Sequence, residues 1–266
     1  MAMNFLKITG SGNDFVLCDN RNVTIRKRAD MAKTLCRQKF GVGADGLILL
    51  EKSRVADFRM RIFNPDGSEA EMCGNGLRCF IRFIREMRIS KKNRFRIETL
   101  AGIYETSIRG RAVSIKMKLF SPPQLNLLLR VHNQNLTVHF LNSGVPHAVI
   151  LSENIHEEEV EHIGRAIRYH SHFAPKGTNV DWLQVVSPHQ AYVRTYERGV
   201  EGETLACGTG IVASAACGAL LELLTSPVEI IARSGESLSV QFSSNLEEIF
   251  FEGNTLVAFQ GSWIGK

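Results

Sequence analysis

Aromatic side chains are sparse in this chain, and its cysteines never pair at short spacing. Of 266 residues, 8% are aromatic and two are tryptophan. A platform for stacking nucleic-acid bases needs aromatics set among basic residues. The densest basic clusters, Arg26-Lys27-Arg28 and Lys91-Lys92-Asn93-Arg94, hold none. They read as solvated faces, and no nucleic-acid partner is expected. The longest uncharged stretch, Thr204 to Leu221, is marginal for a membrane span and rich in small residues. It reads as a buried helix with its entry turn, so no membrane partner is expected either. The N-terminus lacks the apolar run of a secretion signal. Cysteines 18, 36, 73, 79, 207 and 217 form no C-x-x-C pair. Free thiols in a reducing cytoplasm are therefore expected, rather than a disulfide framework. P-loop, G-x-S-x-G and zinc-ligand spacings are missing as well.

What remains is an ordinary globular composition, 44% hydrophobic and 22% charged, with a net charge of +5 that suits small anionic substrates. Within it two segments echo each other. Residues 71–76 read Glu-Met-Cys-Gly-Asn-Gly, and residues 205–210 read Leu-Ala-Cys-Gly-Thr-Gly. Each puts a cysteine before a Gly-x-Gly turn that leads into a helical run. Cys73 and Cys207 are thus expected at or beside helix N-termini, where exposed N–H groups and the macrodipole favour negative charge. That setting lowers a thiol pKa. Either cysteine alone would read as a small core residue. Two in the same context point to a reaction with two matched acid/base groups. The glycines after them let a ligand approach the backbone, and a helix N-terminus suits a carboxylate. Cys18, Cys36, Cys79 and Cys217 lack this context and read as packing residues.

The surroundings repeat too. Residues 57–63 alternate as a strand, and Asn64-Pro65-Asp66-Gly67 ends it with turn chemistry. After the first cysteine, Leu77, Phe80, Ile81, Ile84 and Met87 form a helical stripe, with Arg78, Arg82, Arg85 and Arg88 off it. In the second half, residues 192–198 read as a strand. A helix over Ile211 to Leu224 follows, apolar or small on all faces through Leu221, hence central and wrapped. Further strands are expected near 4–8, 14–18, 47–51, 95–99, 103–108, 113–119, 136–141, 147–151, 180–186, 228–232, 238–242, 247–252 and 255–260. Further helices are expected near 27–38 and 156–168. This is an α+β chain of two similar halves, with Pro122-Pro123 at the junction. Gly41-Val42-Gly43-Ala44-Asp45-Gly46 matches G-x-G-x-x-G but precedes a strand, the reverse of the dinucleotide-binding context. His156 and His162 are six apart, off a common helix face, and read as surface residues.

With these residues placed, the chain resembles the diaminopimelate epimerase family along nearly its whole length. The anchors are Gly12-Asn13-Asp14-Phe15, residues 41–46, Phe63-Asn64-Pro65-Asp66-Gly67-Ser68, Cys73-Gly74-Asn75-Gly76 with Arg78-Cys79, Tyr196-Glu197-Arg198-Gly199, and Ala206-Cys207-Gly208-Thr209-Gly210. Each is weak alone; all of them in order are specific. The resemblance implies two pseudo-symmetric halves, each a highly curved, mostly antiparallel sheet around a central helix, with the active site in the cleft between them. The halves would be residues 1–120 with 257–266, carrying Cys73, and residues 121–256, carrying Cys207. It implies that one cysteine, as thiolate, removes the α-proton of an amino acid while the other, as thiol, protonates the opposite face. It implies no metal and no pyridoxal cofactor. The backbone of Gly74, Asn75, Gly208 and Thr209 would hold the reacting carboxylate. Asn13, Asn64, Asn179 and Arg198 would bind the distal groups, and Glu197, beside the substrate, would tune the thiols with His147. The partner would be a small amino acid, and a homodimer stays open. One departure stands out: the family usually has Gly-Asn-Pro-His where this chain has Gly144-Val145-Pro146-His147. That Asn contacts substrate in the family, so Val145 predicts looser recognition of the distal end. The expected reaction is conversion of LL- to meso-diaminopimelate. The alternatives are a racemase of proline, hydroxyproline or glutamate on the same fold, and a non-catalytic anion-binding module with oxidant-sensing thiols.

Overall fold

A computed structural model describes residues 3–265. The chain forms two compact units, Met1–Ile115 with Gly253–Lys266, and Lys116–Glu252.

The first unit begins with β1 (Met3–Gly10) and β2 (Asn13–Asp19), a hairpin, followed by α1 (Arg28–Leu35). Then come β3 (Gly46–Glu51), β4 (Phe58–Phe63), the two-residue β5 (Glu69–Ala70) and α2 (Gly74–Glu86). β6 (Arg94–Thr99), β7 (Gly102–Arg109) and β8 (Ala112–Met117) form a meander. The second unit carries β9 (Gln124–Val131), β10 (Gln134–Asn142), β11 (Pro146–Leu151), α3 (Val160–Arg168), a short 3₁₀ turn at Ser171–Phe173, β12 (Asn179–Ser187) and β13 (Gln190–Glu197). The three-residue β14 (Gly202–Thr204), α4 (Gly208–Leu220), β15 (Val228–Ala232), β16 (Ser237–Phe242) and β17 (Ile249–Asn254) complete it. The last strand, β18 (Leu256–Trp263), pairs antiparallel with β1.

The two units have the same internal wiring. In the first, the strands run β18-β1-β2-β3-β4-β6-β7-β8, with parallel joins at β2/β3 and β4/β6 and β5 folded back on β4. In the second they run β9-β10-β11-β12-β13-β15-β16-β17, with parallel joins at β11/β12 and β13/β15 and β14 folded back on β13. In each unit the short return strand delivers the chain to a cysteine and then to the long helix. α2 packs on β1, β2, β3, β4 and β7; α4 packs on β10, β11, β12, β13, β15 and β16. The α+β class and the pair of sheet-wrapped helices are as expected.

The helices earn their central positions by composition. α4 reads Gly-Thr-Gly-Ile-Val-Ala-Ser-Ala-Ala-Cys-Gly-Ala-Leu, and ten of its thirteen residues are buried, so strands can close on it from every side. α2 is more amphipathic, yet Leu77, Cys79, Phe80, Ile81, Phe83 and Ile84 are buried. Four expectations are corrected here. The Gly-x-Gly segments are not turns before the helices; they are the first helical turns, with the cysteines as N-caps. α4 accordingly starts at Gly208 and ends at Leu220, where Glu222 turns into the left-handed region at φ 60°. α3 begins at Val160 rather than at 156. Arg78, placed on the polar side of α2, is fully buried. Among the described residues no helix is long and apolar enough to cross a membrane.

Candidate active site

The first unit presents Cys73 as the N-cap of α2, with extended backbone at φ −142°, ψ 120°. Its Sγ accepts the N–H of Gly76 at 3.3 Å, the bond that a Ser or Asp N-cap makes with oxygen. The side chain is half-buried. Gly76 has no room for more: a Cβ there would lie 3.1 Å from Ile48 Cδ1 and 3.2 Å from Ile62 Cδ1. The N–H groups of Gly74 and Asn75 lie in the first turn, where helical geometry supplies no carbonyl acceptor.

Behind Cys73 runs a chain of fixed amides. Arg78 donates from Nη2 to Ser11 Oγ at 2.6 Å and to Asn75 Oδ1 at 2.7 Å, and from Nη1 to the carbonyl of Asn254 at 3.1 Å. Since Asn75 Oδ1 accepts from a cation, its Nδ2 must donate, and it does so to Asn13 Oδ1 at 2.9 Å. Asn13 then turns its own Nδ2 to Asp45 Oδ2 at 3.0 Å. Asp45 sits at the end of the glycine-rich 41–46 segment, and its N–H bonds to the Asp14 carbonyl and carboxylate. That segment therefore braces Asn13, a role no cofactor motif would suggest. Asn64 lies apart from this chain: it is exposed, and its Nδ2 donates to Ser68 Oγ at 2.9 Å within the turn.

The second unit presents Cys207 as the N-cap of α4. Here the thiol is buried, 7% exposed. Its Sγ lies 3.4 Å from Thr209 Oγ1. Thr209 Oγ1 lies 2.9 Å from His147 Nε2, and His147 Nδ1 lies 2.6 Å from Asp181 Oδ2. Asp181 Oδ1 accepts the Thr195 hydroxyl at 2.7 Å. His147 and Asp181 are wholly enclosed, and Gly210 is what lets them approach the helix: a Cβ there would lie 2.3 Å from Asp181 Oδ1. Ser143 donates to the Thr209 carbonyl at 2.7 Å and fixes the first turn.

The histidine tautomer follows from Asn179. The Arg198 N–H donates to Asn179 Oδ1 at 2.7 Å, so Asn179 Nδ2 points to His147 Nε2, 3.3 Å away. Nε2 is thus an acceptor, and the ring proton sits on Nδ1, facing the carboxylate of Asp181. Asn179, expected to bind the distal substrate groups, spends its carbonyl and an N–H on Arg198 and His147. The Arg198 side chain is half-buried and donates to the Lys176 carbonyl at 3.3 Å.

The charge environment of Cys207 runs against the expected lowering. Burial, then the carboxylates of Glu197 and Asp181, push its pKa well above the usual thiol value, and the Thr209 hydroxyl and Gly210 N–H pull only partly back. A helix N-terminus is worth about 0.3–1 kcal/mol at exposed sites, whereas full burial moves a pKa by up to about 3–5 units. Cys207 is therefore held as the neutral thiol. Burial also raises Glu197, with Thr204 and His147 opposing it. Cys18, Cys36 and Cys217 are buried thiols pushed up to about 12.

Sequence reasoning singled out both cysteines, Asn13, Asn75, His147 and Glu197, and the structure adds to their surroundings Arg78 as a buried anchor, Asp45, Asp181, Thr195 and the Thr209 hydroxyl. Asp181 left a readable signal: it is a lone acid in the apolar run Val180-Asp181-Trp182-Leu183, all four buried.

Comparisons with known proteins bear on the family. The family model for diaminopimelate epimerase matches residues 5–119 and 139–255. Diaminopimelate epimerase from Aquifex aeolicus is 43% identical over 272 residues, covering 97% of each chain. The enzyme of that name from Chlorobaculum tepidum is 38% identical over 257 residues, covering 96% of this chain and 99% of its own. Among solved structures, a phenazine biosynthesis protein of the PhzF family from Bacillus anthracis aligns over 100% of both chains with a TM-score of 0.74 at 17% identity. A probable proline racemase from Agrobacterium radiobacter aligns over 99% of this chain and 93% of its own, with a TM-score of 0.71 at 14% identity. These two share the fold. Matched from end to end by relatives that carry one name, and by the model of that family across both units, the chain belongs to the diaminopimelate epimerase family.

Proposed function

We propose that this protein converts LL-diaminopimelate to meso-diaminopimelate in the cytoplasm by a two-thiol mechanism, with Cys73 and Cys207 as the acid/base pair. As a member of its family the protein is an isomerase. The observation that carries the mechanism is the duplicated N-cap: each unit places one cysteine at the head of its central helix, on a first turn of Gly-x-Gly. One reaction that removes a proton from an α-carbon and returns one to its other face uses two such groups. Held as a thiol, Cys207 supplies a proton in one direction, and Cys73 removes one; in the reverse direction the roles exchange.

The α-proton of an amino acid is weakly acidic because the carbanion left behind must place its charge on the carboxylate. Backbone N–H groups of Gly74, Asn75, Gly208 and Thr209 would receive that charge. Donors fixed in advance cost no reorganisation as the charge develops, and removing a single such donor typically costs about 10²–10³ in rate. This supplies the electron sink without a cofactor. Asn13, whose amide is held by Asn75 and Asp45, and Arg198 would contact the distal amino-acid end. Glu197 and His147, both close to Cys207, would tune it. Val145, half-buried between β10 and β11, offers substrate no hydrogen bond where the family usually offers an Asn.

The test is NMR of the purified protein in D₂O with LL- and meso-diaminopimelate, proline, hydroxyproline and glutamate. Deuterium at the α-carbon with interconversion of LL- and meso-diaminopimelate is expected. Inversion confined to one of the other three amino acids would make this a racemase of a different substrate, and exchange of none of them would leave only ligand binding.

A further inference from the structure

Cys207 poses a chemical problem within this reading. It must act as a base in one direction, yet burial, Glu197 and Asp181 hold its proton in place. An exposed thiol would lose that proton to water; this one is 7% exposed. The groups beside it offer another route. Cys207 Sγ, Thr209 Oγ1, His147 Nε2, His147 Nδ1, Asp181 Oδ2 and Asp181 Oδ1 follow one another at hydrogen-bond distances, ending on the Thr195 hydroxyl. Polarity along the chain is fixed from the far end. Thr195 and the Nδ1–H of His147 both donate to Asp181, so Nε2 accepts. The Thr209 hydroxyl then gives its hydrogen to Nε2, which leaves its lone pairs for the thiol.

Resting on the two-thiol reading, we propose that Thr209 relays the proton between Cys207 and His147, and that Asp181 acts as a positioning residue holding the imidazole in its accepting tautomer and stabilising the imidazolium. To form the base, the Cys207 S–H bond breaks and its proton passes to Thr209 Oγ1 while the Thr209 O–H proton passes to His147 Nε2. The products are a thiolate and an imidazolium whose Nδ1–H remains on the Asp181 carboxylate. Total charge is unchanged, and no other reactant is needed. The opposite direction is the reverse and begins with the imidazole protonated: Cys207 gives its proton to the substrate carbanion, and the Nε2 proton then returns through Thr209 to re-form the thiol beside a neutral ring. The groups facing His147 are Asp181, Thr209, Asn179 and, by charge, Glu197. Asn179 donates toward Nε2 beside Thr209, and Asp181 accepts from Nδ1, so the ring is held between both ends of the chain.

The relay is read in a Cys73→Ala background, where Cys207 alone can exchange the α-proton of one epimer with retention. The rate of that exchange in D₂O, followed by NMR across pH, is compared with and without Thr209→Val, Thr209→Ser and Asp181→Asn. Thr209→Val keeps the side-chain shape and the Ser143 bond to the main chain but removes the relay oxygen. It is expected to slow exchange by about 10²-fold, the scale of one general acid–base step, with KM little moved. Thr209→Ser restores the oxygen and should recover most of the rate, which a defect of packing would not. Asp181→Asn can turn its amide Nδ2 toward Nδ1 and force the ring proton onto Nε2, so exchange should slow by a factor similar to that of Thr209→Val with KM little moved, and adding Thr209→Val should slow it little further. Exchange in the Thr209→Val variant within threefold of its parent (about 0.7 kcal/mol) would overturn the relay and leave the two-thiol reading standing. If the Cys73→Ala parent still inverts diaminopimelate, or exchanges neither epimer, the two-thiol reading falls and the relay with it.

Discussion

The two cysteines share a position and differ in surroundings. Cys73 is half-buried and accepts an N–H of its own helix, whereas Cys207 is enclosed with Glu197 and Asp181. The repeated Cys-Gly-x-Gly spacing made the shared position legible, because a helix N-cap is a local feature. The difference was not legible, since it is set by residues 10 and 26 positions away on β13 and β12. Asn13 and Asn75 could be picked out by their motifs, but which end of each amide is on offer depends on Arg78, which no spacing rule brings to them. Val145 stands where the resemblance leads one to expect an Asn. Val145→Asn restores a group able to make one or two hydrogen bonds to charged substrate atoms, each worth about 1.5–3 kcal/mol. The ratio of kcat/KM for diaminopimelate over a shorter acidic amino acid should therefore rise by roughly tenfold or more. An unchanged ratio from steady-state kinetics would show that position 145 does not read the distal end.

At the level of elements, strands with clean alternation, such as β4 and β16, could be placed from sequence to within a residue or two. β9 was not, although it is eight residues long. It follows Pro122-Pro123, and at Asn126 its backbone enters the left-handed region at φ 58°, where two residues oppose one on β10. That bulge breaks the two-residue period on which strand recognition rests. β5 and β14 have two and three residues, too few to show a period, yet they aim the chain at the cysteines. α2 depends on more than its apolar stripe. Arg78 ties it to Ser11 after β1 and to the Asn254 carbonyl at the end of β17, with no exposure to water. Lysine keeps the charge but cannot supply donors in that fork. Arg78→Lys should cost about 3 kcal/mol or more in urea denaturation, from two buried charge-assisted bonds lost. It should also lower kcat, because Asn75 and Asn13 lose the bond that orients them. A loss below 0.5 kcal/mol (about the scale of an ordinary surface substitution) would show that water replaces the guanidinium at little cost.

The whole molecule is two copies of one wiring diagram, each built around a helix whose N-cap is a thiol. Duplication explains why the fold was readable from two short motifs: once one strand–cysteine–helix unit is recognised, its repeat sets the plan of the rest. It also leaves the protein with several buried thiols and a distinct response to pH. Cys18, Cys36 and Cys217 are pushed up to about 12, and Cys207 well above its usual value, mainly by burial. For each, the folded state binds the proton more tightly than the unfolded chain. The stabilisation is complete below the unfolded thiol pKa of about 8.5 and is lost as pH rises toward the folded value. Between those limits each thiol should reduce stability by up to about 1.4 kcal/mol per pH unit. Urea denaturation under reductant at pH 8 and pH 10 should show this fall, and Cys217→Ala should make it shallower. A slope unaffected by that substitution would mean that Cys217 ionises as easily folded as unfolded.

The central claim is that both thiols serve a single α-carbon, one for each face. It is tested most directly by following diaminopimelate in D₂O by NMR with Cys73→Ala and with Cys207→Ala. The account predicts that neither variant interconverts LL and meso forms, and that each exchanges the α-proton of one epimer only, with retention, the two variants choosing opposite epimers. Near-normal interconversion by either variant would contradict it.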